Sequence, residues 1–486
     1  MFARKRKTVS IRCAAVFLAA LLLISLVAVI VDRNIRASKI LVNGEVMVLG
    51  VGQEYEYPVD GENLIRFKSY NKAVVDVDSN GKFTAVSKGS ALVKVGTSDI
   101  TVYVEDAPTA ISFSEQELEI GTGEKYTPPL HVEGSDLNMG FEFESSDENV
   151  LKVDRFGKIT GLSQGTASVS VQSYNGLSAV CNVTVFAEPE AIQYPVSEKT
   201  VYIGTKRRLL PSLSSGSASK TTVTESDNVE VLVTDGYTLI PVAAGKATVT
   251  ATTYNGKTAS CVVTVEEAPY YIRTDLDSSK PMIALSFDDG PNKPTTSSIL
   301  DTLESNNASA TFFMVAKRLS YGGNGDCAKR MVELGCQLGN HTYDHKHYGK
   351  DVTAQDITDG VSAIKEATGY DPTAFRPTGG YLSDTIKSNA GAPICLWSVD
   401  TNDWKYRDAQ KLYDYVIYAA EDGDVILMHD IYETSAQAVE KFVPELVSRG
   451  FQIVNIAEMA YYKDAHMENG TIYSSFNQLR TFNWFT

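Results

Sequence analysis

Three patterns of apolar and polar residues follow one another along this chain. The first is an uncharged run of 19 residues, 13–31, behind Arg4, Lys5, Arg6, Lys7 and Arg12. At 1.5 Å per helical residue it would span roughly 28 Å, close to a bilayer's hydrocarbon thickness and longer than the ~7–15 apolar residues of a signal peptide. Residues 1–37 are therefore expected to form a cytoplasmic basic flank and a retained single-pass transmembrane helix in a cell membrane. The rest of the chain would then lie outside. A cleaved signal peptide is the weaker alternative, because Arg36-Ala37-Ser38 makes a poor cleavage site.

The second pattern is a repeat. Gly81-Lys82-Phe83-Thr84 precedes Gly89, Gly157-Lys158-Ile159-Thr160 precedes Gly165, and Gly236-Tyr237-Thr238-Leu239 precedes Gly245, the second glycines falling at steps of 76 and 80 residues. After each glycine the chain alternates, as in Ala167, Val169 and Val171 against Ser168, Ser170 and Gln172, the period of a half-buried strand. Tyr174-Asn175-Gly176 and Tyr254-Asn255-Gly256 read as hairpin turns, since Asn-Gly accepts the positive φ values of a type I′ turn. Short alternating strands punctuated by glycine predict three small β-sandwiches, over 38–107, 108–188 and 189–268. They resemble the bacterial immunoglobulin-like group 2 family, the second copy most clearly, and that resemblance implies spacer modules first and glycan or protein binding second.

From about Tyr270, after the linker Glu266-Glu267-Ala268-Pro269, apolar runs alternate with helical spacing such as Val439, Phe442, Val443 and Leu446. Strands are expected over 282–287, 310–315, 336–339, 374–375, 394–399, 425–428 and 452–455. Seven strands with intervening helices predict an α/β domain of (β/α) barrel type over 270–467, with its chemistry at the C-terminal rim. The aromatic stretch 468–486 has no assigned role.

Composition narrows the partners. Hydrophobic residues at 43% and charged ones at 21% describe a folded chain, while a net charge of -16 excludes nucleic acid, whose binding needs Lys and Arg to displace condensed counterions. The six cysteines form no Cys-x-x-Cys pair, so a thiolate zinc site is excluded and all six are expected unpaired.

Reactive residues gather where strands are expected to end. Ser286-Phe287-Asp288-Asp289-Gly290 sets two carboxylates back to back, and Asn340-His341-Thr342-Tyr343-Asp344-His345 spaces two imidazoles by four, expected to lie on one side of a helical turn. Three of the six histidines fall within 340–348. Two His and one carboxylate leave open positions on a divalent ion, the pattern of a catalytic rather than structural site. Arg376-Pro377-Thr378-Gly379-Gly380, Asp400-Thr401-Asn402-Asp403-Trp404 and Leu427-Met428-His429-Asp430 follow later strands. Singly, each has a plainer reading: a turn, a surface charge at Arg376, a core ring at Trp404.

Together these five segments resemble carbohydrate esterase family 4, the NodB-type polysaccharide deacetylases, over about residues 280–459. The resemblance implies Asp288 as general base, Asp289, His341 and His345 as metal ligands, and Arg376 as the group that orients the base. It further implies His429 as general acid held by Asp403, Leu427 in an acetyl pocket, Trp404 at the substrate, and the N–H of Gly379 at an oxyanion. The family's aromatic groove-wall residue is glycine here, at Gly379. The cofactor implied is one divalent ion, zinc first, with cobalt, nickel or manganese as alternatives. The expectation is a membrane-anchored hydrolase removing N-acetyl groups from an extracellular glycan, N-acetylglucosamine of peptidoglycan foremost. An O-acetyl esterase on xylan-like glycans and a wall-bound adhesin with an inactive barrel are the rivals.

Overall fold

The computed structural model describes residues 41–42, 46–58, 65–135 and 140–477. Among them no helix is long and apolar enough to cross a membrane. The longest, Glu433–Ser448, has 16 residues and a polar face, or about 24 Å against a hydrocarbon layer of ~30 Å. The transmembrane helix expected at 13–31 lies outside the described residues. The fold is corrected to a β-sheet-rich region followed by a distorted barrel, with no membrane-spanning helix among the described residues. The membrane partner and the single-pass cell-membrane localisation are withdrawn with it.

The chain forms two compact units: 1–195 with 211–224 and 250–260, and 196–210 with 225–249 and 261–486. In the first unit, strands Glu117–Gly121, Ser178–Phe186, Gly165–Ser173 and Phe141–Ser145 form one sheet, in that order, and Lys125–Tyr126, Ile159–Gly161 and Leu151–Val153 another. Glu117–Gly121 runs parallel to its neighbour while the rest is antiparallel. The preceding stretch repeats this order, with Val46–Gly50, Ser98–Glu105, Gly89–Val95 and Phe67–Ser69 beside Glu54–Glu56, Lys82–Ala85 and Val75–Val77. Each stretch has its own apolar core, around Leu49, Phe83 and Val102 in one and Ile120, Leu151 and Val169 in the other. A turn through Asn175-Gly176 joins Gly165–Ser173 to Ser178–Phe186, but only Gly176 takes a positive φ, 85°, so it is not the anticipated type I′ turn; the Tyr174 hydroxyl donates to the carbonyl of Val51 at 3.0 Å.

In the second unit, Glu198–Tyr202 pairs in parallel with Val262–Glu266, and Arg207–Arg208, Thr238–Pro241 and Leu232–Asp235 form a three-stranded sheet. Buried Arg207 donates to the carbonyl of Tyr462 at 3.1 Å and lies 4.7 Å over the Tyr461 ring.

The barrel strands are Met282–Asp288 (β1), Thr311–Met314 (β2), Gln337–Asn340 (β3), Ala374–Phe375 (β4), Ile394–Cys395 (β5), Val399–Asp400 (β6), Val425–His429 (β7), Gln452–Val454 (β8) and Ile472–Tyr473 (β9). They form one sheet in the order β6-β7-β1-β2-β3-β4-β5-β9, with β8 also pairing β1. The single strand expected over 394–399 is in fact two. β5 pairs toward one end of the sheet and β6 forms the other edge, yet four residue steps, at most ~14 Å of chain, separate them. A sheet whose opposite ends lie so close along the chain must curl round, which gives the distorted barrel. Helices Lys293–Ser305 (α1), Asn324–Glu333 (α2), Ala354–Thr368 (α3), Ala409–Ala419 (α4) and Glu433–Ser448 (α5) supply apolar faces to the core around Phe287, Phe312, Phe442 and Ile426. The five cysteines among the described residues are free and buried.

Candidate active site

Strand register brings the reactive residues to one rim. Asp288 is the Cα partner of His429 on β7 and of Phe313 on β2. Met314 is opposite Asn340 on β3, and Asn340 opposite Phe375 on β4. The next residues along, Asp289, His341 and Arg376, therefore leave the sheet at the same end as His429.

Asp289, His341 and His345 each offer one ligand atom, and these atoms all lie within 4.8 Å of one another. His341 Nε2 and His345 Nε2 stand 3.6 and 3.3 Å from Asp289 Oδ1. The two imidazoles do not converge through a helical turn, as the spacing suggested. The segment is a loop in which Thr342 and His345 take positive φ, 69° and 58°, as does Asp289 at 73°. Two left-handed residues turn the chain back on itself, which the four-residue spacing alone does not reveal.

Three observations fit this cluster to a divalent cation. Asp289 Oδ1 is buried and accepts no hydrogen bond, a costly state for a carboxylate unless a cation faces it. His341 Nδ1 lies 2.7 Å from the carbonyl of Arg376, which fixes its proton on Nδ1 and leaves Nε2 to ligate. Burial, and then His341 alongside, lowers the pKa of His345, favouring the neutral ligating form.

Asp288 is buried beside this cluster, with its Oδ2 3.7 Å from His341 Nε2. Its Oδ1 accepts from Arg376 Nη1 at 2.7 Å. Arg376 is no surface charge: it is fully buried, donates to the carbonyls of Cys395 and Leu396 at 2.7 and 2.8 Å, and lies 4.0 Å over the Phe313 ring. Every nitrogen of the guanidinium is thereby committed, and so is Oδ1 of the carboxylate it holds.

His429 Nδ1 meets Asp403 Oδ1 at 2.7 Å, and the His429 backbone N–H donates to Oδ2 at 2.8 Å. Ser435 Oγ also donates to Oδ2, at 2.6 Å. Burial works against a charge on His429, but the Asp403 hydrogen bond and the charges of Asp403, Asp288 and Asp289 outweigh it, raising the pKa to about 9. Leu427 is buried on β7, while Trp404 is 51% exposed and no part of the core. Gly379 takes φ +63°, a conformation that suits glycine.

Three residues at the rim carry weight that motif reading did not assign. Asp430, directly after His429, is fully buried and accepts from Thr296 Oγ1 at 2.6 Å, and burial pushes its pKa up to about 7. A side-chain carbon on Gly290 would fall 2.1 Å from both Asp430 carboxylate oxygens, so the Asp-Asp-Gly turn needs its glycine for that close approach. Tyr348 and Tyr381 stand beside Gly379, with Tyr348 Oη 3.2 Å from His345 Nδ1. Asp430 had only its adjacency to His429 as a signal, and the tyrosines had none.

A buried carboxylate–arginine pair, a His₂–carboxylate cluster and a carboxylate-held histidine on one barrel rim define the class: a hydrolase domain built around a divalent-ion site. Residues 275–392 match the polysaccharide deacetylase family model. The chain is 39% identical over 180 residues to a peptidoglycan-N-acetylglucosamine deacetylase of Listeria monocytogenes, covering 36% of this chain and 38% of the relative. It is 36% identical over 191 residues to a peptidoglycan-N-acetylmuramic acid deacetylase of Bacillus subtilis, covering 39% and 40%. It is also 32% identical over 204 residues to a peptidoglycan-N-acetylglucosamine deacetylase of Bacillus cereus, covering 40% of this chain and 94% of the relative. This chain belongs to the polysaccharide deacetylase family. The match spans about two fifths of the length of the first two relatives.

Proposed function

We propose that this protein is a metal-dependent deacetylase that removes N-acetyl groups from peptidoglycan, with N-acetylglucosamine as the sugar attacked. The observation that carries the reading is the placement of Asp289, His341 and His345 beside both the Asp288–Arg376 pair and the Asp403–His429 pair. The activities of the Listeria and Bacillus cereus relatives support the substrate. That of the Bacillus subtilis relative favours a second reading, N-acetylmuramic acid of the same polymer.

An amide is a weak electrophile with a poor leaving group, so its hydrolysis needs an activated water, a polarised carbonyl and a proton donor. Asp289, His341 and His345 would hold a divalent ion, zinc first, which would supply the Lewis acidity for acidifying water and polarising the acetyl carbonyl. Asp288 takes the water's proton as general base. Arg376, locked by two backbone carbonyls, holds that carboxylate in place. The N–H of Gly379 faces the developing oxyanion, and Leu427 lines the acetyl pocket. His429, positively charged through its bond to Asp403, gives its proton to the departing nitrogen. Trp404 lies exposed at the substrate side.

We also read the β-rich region as three immunoglobulin-like sandwiches, 38–107, 108–188 and 189–268, serving as spacers before a deacetylase domain that begins at 270 and, with β9 in its sheet, runs past the 467 expected from the sequence. Support comes from the recurring pair of sheets with one parallel outer strand.

The test is release of free amine from peptidoglycan fragments by the metal-loaded protein, set against acetate release from acetylated xylan. Amine release well above background supports the reading. Brisk acetate from xylan with none from peptidoglycan moves the enzyme to O-deacetylation.

A further inference from the structure

Gly379 stands where the family resemblance places an aromatic groove wall, and on sequence that wall is missing. The structure fills the space from two other positions. A side-chain carbon built on Gly379 would lie 3.0 Å from two ring carbons of Tyr381 and 3.3 Å from one of Tyr348. The missing side chain is what lets both rings close over this point. They meet edge to face, centroids 6.4 Å apart and planes at 74°. Tyr348 in turn stands perpendicular to the ligating ring of His345, at 5.3 Å. Beneath them the Trp397 ring approaches Gly380 so closely that a side-chain carbon there would fall 2.8 Å from it, which backs the turn carrying Tyr381.

Both tyrosines remain open to solvent, Tyr348 at 45% and Tyr381 at 59%. Isolated exposed tyrosines need no explanation. Two that share an edge, sit against a metal-ligating histidine and occupy the volume left by a glycine form a corner of apolar ring faces continuous with the candidate site. A pyranose ring presents axial C–H bonds on one face and hydroxyls around its rim, and such a face packs flat on an aromatic ring while its rim stays wet.

We propose that Tyr381 and Tyr348 form the sugar-stacking wall of this site: Tyr381 receives the apolar face of a pyranose of the acetylated chain, and Tyr348 closes the corner while its hydroxyl steadies His345. This rests on the deacetylase reading for the identity of the glycan. It differs from the family pattern in which residues build the wall, two chain positions beyond and thirty-one before the usual one.

Binding is measured on the full chain with metal removed by chelation, so that the readout is independent of turnover, using the tetramer of N-acetylglucosamine as probe. Tyr381→Ala is expected to weaken binding about three- to tenfold, with Tyr381→Phe restoring it. Tyr348→Phe should keep glycan binding while lowering affinity for the metal, whereas Tyr348→Ala should lower both. Unchanged tetramer binding in Tyr381→Ala, or no tetramer binding by the unaltered chain, overturns the proposal. Acetate and amine release by the metal-loaded protein is scored separately. A chain that binds the tetramer through Tyr381 but hydrolyses no glycan keeps the wall and loses the deacetylase reading.

Discussion

Strand Gly165–Ser173 of the β-rich region and strand β1 of the barrel bury themselves differently. In the first, Ala167, Val169, Val171 and Ser173 are buried while the residues between them stay partly open to water. In β1 every residue from Met282 to Asp288 is buried. The half-buried strand leaves its outward polar side chains to water, and its one buried polar group, Ser173, bonds locally to Asn175 at 2.6 Å. A strand covered on both faces can carry a charge only where the sheet ends, and there it must be paired. The buried polar residues follow suit. Those of the first unit include Gln53 and Glu124, which accept the backbone N–H groups of Gly50 and Gly121 at 3.0 and 2.9 Å and serve turns. Those of the barrel include Asp288 and Arg376, which pair with each other, Asp403, which accepts from the His429 N–H, and Asp430, which accepts from Thr296.

If the contrast is one of chemistry against scaffolding, changes at the rim should abolish turnover without unfolding the β-rich region, and changes in its core should do the reverse. The largest effect is expected from Asp288→Asn: kcat should fall about a thousandfold or more while the metal stays bound, measured by amine release and metal content on one preparation. A variant retaining a tenth of the rate would remove Asp288 from the role of base. His341→Ala should take the bound metal from about one equivalent per chain to none after mild chelation. Unchanged metal content would break the cluster assignment.

Asp403→Asn should act more gently and in a pH-dependent way. The folded pKa of His429, raised to about 9 against an ordinary 6.5, means its bond to Asp403 stabilises the fold fully below about pH 6.5 and is lost as pH rises through about 9. The acid form is the proton donor, so activity should decline over the same alkaline limb. Removing the Asp403 charge takes away the leading cause that raises the pKa, and the limb should move to lower pH. A pH–rate profile with an unmoved limb would assign it to another group. The smallest effect on turnover, under about twofold, is expected from Leu151→Ala in the core of the β-rich region, although it should cost that region ~2–5 kcal/mol in denaturant unfolding. Lost activity at intact barrel structure would show the two regions to be coupled.

How much of this was legible beforehand follows from what each signal depends on. The strands at 282–288, 374–375 and 425–429 were readable because an apolar run bounded by reactive residues is local information. The run 394–399 looked the same and is not one strand, since what breaks it is the need for β5 and β6 to join different ends of a curled sheet. The expected membrane helix came from an uncharged run and its basic flank, and it lies outside the described residues, among which no helix is long and apolar enough to cross a membrane.

By itself, the sequence determined which groups this protein has to work with: the paired aspartates, the two spaced histidines, Arg376, Asp403 and His429, and the periodicities that separate a β-rich region from an α/β one. Only the tertiary structure decided that Thr342 and His345 turn left-handed to aim two imidazoles at Asp289, that Asp430 lies under Gly290, and that Tyr348 and Tyr381 close over Gly379. Periodicity and residue chemistry are properties of neighbours in the chain. The meeting of Asp288 with His429, 141 residues later, is a property of strand register, and register is set by how the whole barrel packs.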